Sequence, residues 1–300
     1  MNTTEKVWIL GHRGASFDAP ENTAASFRLA KQYGADGSET DVHLTKDGVP
    51  VIHHNYTIDG TSDGSGTISR MTLEELRRLD FGFYKGKQYR GEKILTLEEL
   101  LLLAKELNFK LINLELKPPV KKDPAFVCTI ISVVEKTRMT DKVIFSSFEA
   151  DLLRQVKEIN SKYKVGLLTF ATEEKGSFYG RADQVNDLIR EMPSMFLAFY
   201  PIPNADEILD NMGRIFIDGT LTEQVDSLPF HVDYIHPDYH SILSNPEVVN
   251  EMHERGIGVN PWTCDDPEEL QQLVSYGVDG IITNRPDVLV NVVSHAKVRD

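Results

Sequence analysis

The stretch GADGSETDVHLTKDGVPVIHHN, residues 34–55, combines the end of a predicted helix with two extended runs. The helix is predicted over Asn22–Tyr33, and Gly34 is typical of the left-handed turn that ends a helix. We interpret Gly37–Leu44 as a strand, and a second extended run closes the stretch at His54. A helix that leads directly into a strand is a repeating unit of α/β folds, so this stretch predicts that class.

The same alternation continues through the rest of the chain. The eight runs interpreted as strands are Val7–Leu10, Gly37–Leu44, Leu111–Leu116, Val143–Ser147, Val165–Thr169, Val232–His236, Ile257–Trp262 and Asp279–Thr283. Further helices are predicted from Thr96 onward and over Pro124–Arg138, Phe148–Asn160, Pro246–Arg255 and Pro267–Tyr276. Eight strands alternating with helices predict a (β/α)8 TIM barrel. The alternative is an open doubly wound sheet, which the lack of a GxGxxG motif after the first strand disfavours.

Two stretches exceed what a minimal barrel needs. Residues from about 55 to 95 are rich in Gly, Ser and Thr and then contain a short helix, so we interpret them as a small subdomain inserted after the second strand. Residues from about 171 to 231 form an extended connection. Its predicted elements are a helix near Asp183–Glu191 and apolar runs at Phe196–Tyr200 and Arg214–Ile217. We therefore predict one domain over residues 1–300 with two additions.

Composition and charge narrow the possible functions. The net charge of −14, without a basic tail, argues against nucleic acid or an anionic membrane surface as a partner. An anionic small-molecule substrate must then be met by a local group of basic residues or by a metal ion. The cysteines, Cys128 and Cys264, lack metal or redox spacing and fit a reducing compartment. The N-terminal apolar run is too short for a signal peptide or a membrane span, so we expect a cytoplasmic protein without stable membrane insertion.

Acidic residues fall on one face of two predicted barrel strands. Residues two apart in a strand point to the same side, which pairs Glu39 with Asp41, and Glu115 with Lys117. Burying an unpaired charge costs on the order of several kcal/mol, so acids on inward positions of two strands are hard to explain by packing. We interpret the three carboxylates as an oxygen-rich site for Mg²⁺ or Ca²⁺, and solvent-facing surface charge is the alternative.

Histidine and basic residues flank these acids. His12 follows the first strand, while His53 and His54 end an extended run, so these histidines are candidate proton shuttles. Only one of His53 and His54 can point into the site, because neighbours in a strand diverge. Arg13 and Lys117 add positive charge that suits a phosphoryl substrate. Phosphodiester hydrolysis needs charge neutralisation, a base and an acid, and this set offers candidates for all three.

Taken together, these motifs resemble those of the glycerophosphodiester phosphodiesterase family. The matching segments, in the family's order, are GHRGASFDAPENTAASF, GADGSETDVHLTKDGVPVIHHN, DGTSDGSG, NLELK, PWT and VDGIITNRPD. The resemblance implies a (β/α)8 barrel with a small inserted subdomain after the second strand. It also implies metal-dependent hydrolysis of glycerophosphodiesters to sn-glycerol 3-phosphate and an alcohol.

The resemblance further implies a role for each of eight residues. The implied roles are general base and acid for His12 and His54, phosphate binding for Arg13 and Lys117, divalent-cation binding for Glu39, Asp41 and Glu115, and packing on the glycerol side for Trp262. A core aromatic is the alternative for Trp262.

Details of the match bear on neighbouring positions. The spacing from the Asp-Gly turn selects His54 over the preceding histidine, and Asn55 stands where the family usually has aspartate. Glu21 and Asn22 are expected to shape the turn and cap the following helix.

Other functions remain open at this stage. One is a phosphodiesterase that acts on lysophospholipids or other head-group diesters, because a shared fold tolerates such shifts of substrate. Another is a barrel that binds phosphoryl ligands without turnover, which the two histidines beside a metal site disfavour. A glycosidase with two catalytic carboxylates would account for the acidic residues but would give no role to Arg13 and Lys117.

Overall fold

The computed structural model describes residues 7–119, 121, 123–170 and 219–296. Within these ranges the strands are β1 (Trp8–His12), β2 (Gly37–Leu44), β3 (Pro50–Ile52), β4 (Leu111–Leu116), β5 (Val143–Ser147), β6 (Lys164–Thr169), β7 (Tyr234–Pro237), β8 (Gly258–Val259) and β9 (Gly280–Thr283). The helices are α1 (Ala24–Gln32), α2 (Leu73–Arg77), α3 (Leu97–Glu106), α4 (Phe126–Lys136), α5 (Ala150–Ile159), α6 (Leu221–Asp226), α7 (Tyr239–Ser244), α8 (Glu247–Glu254), α9 (Pro267–Ser275) and α10 (Pro286–Ala296).

Eight of the described strands form a parallel barrel. Neighbouring strands follow the order β8-β7-β6-β5-β4-β2-β1-β9, and β3 adds an antiparallel partner to β2. Backbone hydrogen bonds close the ring between β8 and β9, from Asp279 N to Val259 O (2.9 Å) and from Ile282 N to Pro261 O (3.0 Å). The predicted (β/α)8 barrel is thus confirmed, and the doubly wound alternative is wrong.

Side chains alternate between two environments along each barrel strand. In β4, Ile112, Leu114 and Leu116 join the large apolar cluster that the helices cover. Asn113 and Glu115 point the other way, into the barrel. This alternation is what delivers polar side chains to the interior and the mouth while the apolar face holds the helices on.

Capping residues fix where several helices begin. Thr96 and Glu99 form a reciprocal capping box at the start of α3, and Thr72 and Glu75 do the same for α2. Pro267 occupies the first turn of α9, as predicted.

The stretch predicted as an insertion has a small apolar cluster of its own. Its buried members are Val51, Ile58, Ile68, Leu76, Phe81 and Ile94. The stretch contacts the loop after β1, because Lys85 Nζ donates to Ser16 O (2.6 Å) and to Phe17 O (2.9 Å). The helix predicted near Asp183–Glu191 and the runs at Phe196–Tyr200 and Arg214–Ile217 lie outside the described residues. In the part of the chain that is described, no helix is long and apolar enough to cross a membrane.

Candidate active site

The predicted metal ligands meet at the carboxyl ends of two adjacent strands. Glu39 and Asp41 lie on β2, Glu115 lies on β4, and the register pairs Asp41 with Glu115. All three are buried, with exposures of 5%, 1% and 8%. One ligand oxygen from each lies within 4.8 Å of the others, which makes the only such group of three or more potential ligands in the described ranges. The structure therefore brings the three carboxylates together in the manner that a cation site requires.

Two basic side chains form ion pairs with this acidic cluster. Lys117 Nζ lies 2.6 Å from Glu115 Oε1 and 3.0 Å from Asp41 Oδ1, so the ammonium bridges two of the three acids. Arg13 Nε lies 3.6 Å from Asp41 Oδ2. The residue has a left-handed backbone (φ 54°), which turns the chain sharply as it leaves β1.

Burial and neighbouring charges shift the pKa values of the three carboxyl groups in opposite directions. Burial, followed by the charge of Asp41, raises the pKa of Glu39 well above its usual range. Burial likewise raises the pKa of Glu115 to about 7, against the opposing effect of Lys117. Burial is the largest effect on Asp41 and acts to raise its pKa, but the charge of Lys117, with the neighbouring positive charges and the hydrogen bond from Asn22, together outweigh it and hold this pKa well below the usual range. The cluster thus carries more carboxylate than its two basic partners neutralise.

His12, the last residue of β1, is held by a hydrogen-bonded chain from the far end of the sequence. Its Nδ1 lies 2.7 Å from Asn284 Oδ1, and Asn284 Nδ2 donates to Asp265 Oδ2 (2.6 Å). Because the amide group of Asn284 donates to Asp265, its oxygen faces His12 as an acceptor. The proton of the neutral imidazole therefore sits on Nδ1, and Nε2 presents its lone pair 3.8 Å from Glu39 Oε2. Burial, then the charge of Arg13, lowers the pKa of His12 to about 3, so the ring is neutral near pH 7.

The two consecutive histidines have different surroundings. His54 is partly exposed, and its Nδ1 lies 2.8 Å from Asn55 Oδ1. Burial, then the charge of Lys117, lowers its pKa well below the usual value. His53 is buried and has both ring nitrogens engaged, with Asn55 O (2.8 Å) and Thr61 Oγ1 (2.8 Å). His54 therefore keeps a ring nitrogen available, whereas His53 is bound into the inserted stretch.

The turn Pro20–Glu21–Asn22 supports the site in a way that was not predicted from the sequence. Asn22 was expected to cap α1, but Thr23 is the N-cap and accepts from Ser26 N. Asn22 instead adopts φ 59° and donates from Nδ2 to Asp41 Oδ2 (3.0 Å), because its backbone turns the amide toward β2. Glu21 pairs with Arg13 Nη1 at 3.1 Å. These two residues, with Asn284 and Asp265, orient the side chains of the site. This role was not predicted from the sequence for any of the four.

Trp262 belongs to an aromatic group at the same end of the barrel. Phe148 follows β5, Phe170 follows β6 and Trp262 follows β8. Their ring centroids lie 5.1 to 5.7 Å apart, and all three are partly exposed. Trp262 Nε1 donates to His236 O (2.6 Å), which fixes the indole at the rim. Parallel α/β barrels carry their active sites at this end, where the acidic cluster and the aromatic group both lie.

Known proteins share this architecture and much of the sequence. The model of the glycerophosphoryl diester phosphodiesterase family matches residues 12–288. A glycerophosphodiester phosphodiesterase of Caldanaerobacter subterraneus subsp. tengcongensis is 32% identical over 288 residues, which cover 96% of this chain and 98% of the relative. A glycerophosphodiester phosphodiesterase of Bacillus altitudinis is 26% identical over 284 residues, covering 95% and 97%. The chain belongs to the glycerophosphoryl diester phosphodiesterase family, and the predicted family and enzyme class are confirmed.

Solved structures agree with this assignment. An Oleispira antarctica phosphodiesterase, in complex with the product sn-glycerol-3-phosphate, superimposes with a TM-score of 0.73 at 25% identity, covering 96% of this chain and 97% of that one. A structure from Silicibacter pomeroyi gives a TM-score of 0.73 at 24% identity, covering 97% and 94%, and supports the fold alone.

Proposed function

We propose that this protein hydrolyses glycerophosphodiesters to sn-glycerol 3-phosphate and an alcohol, with a divalent cation held by Glu39, Asp41 and Glu115. The observation that carries the proposal is the convergence of these buried carboxylates beside His12 and Arg13. The names of the relatives support the substrate class, and the product bound by the Oleispira antarctica enzyme supports the small-molecule product.

The donor set fits a hard cation such as Mg²⁺ or Ca²⁺. It offers carboxylate oxygens and no thiolate or imidazole within the triad, which is the chemistry these ions prefer. Burial raises the pKa values of Glu39 and Glu115, and a bound cation would offset this by favouring the ionised form of both carboxyl groups. When bound, the cation supplies electrostatic stabilisation of the phosphoryl oxygens.

His12 is suited to act as the general base. Asn284 fixes the proton on Nδ1, so Nε2 is free to accept a proton from the nucleophile. The nucleophile is either water or the 2-hydroxyl of the substrate, and the second would give a cyclic phosphate first. Trapping a cyclic glycerol phosphate by rapid quench during turnover distinguishes the two routes.

His54 is suited to protonate the leaving alkoxide. In the free protein the positive charges of Lys117 and Arg13 help to hold its pKa low. A bound phosphoryl anion would offset those charges and so raise this pKa toward the working range. Arg13, oriented by Glu21, and Lys117 bind the phosphate in the same step.

Trp262 contributes an apolar wall to the mouth. With Phe148 and Phe170 it favours a second candidate substrate, a lysophospholipid, whose acyl chain is apolar, or another head-group diester. The two unpaired cysteines, Cys128 and Cys264, are consistent with a cytoplasmic, reducing location.

An activity matrix tests this function. Purified protein is stripped with EDTA, then assayed with Mg²⁺, Ca²⁺ or no metal against glycerophosphocholine, glycerophosphoethanolamine and lysophosphatidylcholine. The expected result is metal-dependent release of sn-glycerol 3-phosphate from the water-soluble diesters. Faster turnover of lysophosphatidylcholine would favour the second candidate. Binding without turnover under every condition would refute hydrolysis.

A further inference from the structure

Beside the acidic cluster, the barrel interior contains a layer of polar side chains that the catalytic proposal does not use. Asn113 lies two residues before Glu115 on the same face of β4, and Ser146 on β5 is the register partner of Glu115. His236 on β7 and Asn260 after β8 face the same interior, following the register around the ring. The interior of a TIM barrel is usually filled by branched apolar residues, so this layer is unusual.

These side chains are buried and lack hydrogen-bond partners. Asn113, Ser146 and His236 are 0% exposed, and Asn260 is 1% exposed. Among the described residues, no partner reaches the amide atoms of Asn113, the hydroxyl of Ser146, either ring nitrogen of His236 or the amide oxygen of Asn260. Burial lowers the pKa of His236 to about 3, so its ring is neutral and offers one donor and one acceptor.

Glycines on neighbouring strands make room for this layer. A β-carbon at Gly166 would lie 2.1 Å from His236 Nε2, so the imidazole crosses directly over the backbone of β6. A β-carbon at Gly280 would lie 2.8 Å from Asn260 Oδ1, so that amide crosses over β9. The space that apolar side chains would fill is therefore given to the polar groups of His236 and Asn260.

Buried polar groups in native proteins almost always have a partner, and ordered water supplies it where protein atoms do not. We propose that Asn113, Ser146, His236 and Asn260 line an internal chamber that binds a cluster of long-lived water molecules beside the acidic cluster. Water fits because each of these groups can both donate and accept hydrogen bonds, while a buried water molecule needs about three partners. The chamber is a hydration site within the barrel, at strand positions adjacent in register to the acidic cluster.

Water ¹⁷O magnetic relaxation dispersion on the full-length protein tests the chamber, because it counts water molecules that exchange slowly with bulk solvent. We compare the wild type with His236→Phe, which keeps the ring and removes both nitrogens, and with Ser146→Ala. Ser147→Ala is the matched control, because Ser147 is equally buried on the same strand but donates to Leu116 O (2.9 Å). The expected result is a loss of at least one long-lived water in each chamber variant and none in the control.

Thermal unfolding gives a second readout whose sign distinguishes a hydrated chamber from a dry one. If water bridges these groups, Ser146→Ala removes a bridge and lowers the unfolding midpoint. If the chamber is dry, the same change removes an unpaired hydroxyl and raises the midpoint. A raised or unchanged midpoint, or a dispersion amplitude in the chamber variants equal to that of the wild type, overturns the proposal.

Discussion

Binding of a divalent cation should release protons from the acidic cluster. In the metal-free protein the pKa of Glu39 lies well above its usual range and that of Glu115 lies at about 7, whereas Asp41 is ionised. At pH 7 the carboxyl of Glu115 is therefore about half protonated, and burial favours the protonated form of Glu39. Because a carboxylate must lose its proton to ligate a metal, binding should release about half a proton from Glu115 at this pH, together with the proton fraction that Glu39 carries.

Two substitutions show how much of the proton release comes from each carboxyl group. Glu115→Gln should lower it by about one half of a proton, and Glu39→Gln should lower it as well. For the wild type, lowering the pH to 6 should raise the release, because Glu115 is then largely protonated. Glu106→Gln, on the surface at an ion pair with Arg28, is the control and should leave the release unchanged.

Isothermal titration calorimetry in buffers of different ionisation enthalpy measures the number of protons released. The protein is first stripped with EDTA and then titrated with Mg²⁺ or Ca²⁺. Tight binding without proton release, or with a release that Glu39→Gln and Glu115→Gln leave unchanged, would show that the cation binds elsewhere.

Further predictions concern the histidines and the stability of the metal-free protein. Asn284→Leu should lower kcat about 10- to 100-fold, because His12 loses the acceptor that fixes its tautomer, and steady-state kinetics check this. His54→Ala should lower kcat by about 10²–10⁴-fold. His53→Ala should spare kcat and lower the unfolding midpoint, because two hydrogen bonds are lost, and the reverse result would mean that the wrong histidine was chosen. Because the fold raises the pKa of Glu115, its contribution to stability is present below pH 4 and is lost as the pH rises through 7. Without metal, Glu115→Gln should therefore gain about 3 kcal/mol relative to the wild type between pH 4 and pH 8 in urea denaturation, and a constant difference would contradict this.

The barrel was predictable because its strands carry a clear period of two. In β4, Ile112 and Leu114 alternate with Asn113 and Glu115, so one short segment shows both the apolar outer face and the polar interior. The same rule placed Glu39 and Asp41 on one side of β2 and led directly to the acidic cluster.

The groups that orient the site were not predictable from local patterns. Asn284 lies 272 residues from His12 in the chain, and they meet only because β9 pairs with β1 when the barrel closes. Its motif, TNRPD, was part of the family resemblance, but no local signal linked it to a histidine. Asn22 was misassigned as a cap because Asn suits that role, whereas its left-handed backbone turns the amide toward Asp41.

Anomalous diffraction from crystals grown with Mn²⁺, recorded at the manganese absorption edge, tests the central claim most directly. The account predicts one peak among Glu39, Asp41 and Glu115, at about 2.0–2.6 Å from an oxygen of each, the range of hard-cation ligation. A peak elsewhere, or none among these carboxylates in a protein that still hydrolyses its substrate after EDTA treatment, would contradict it.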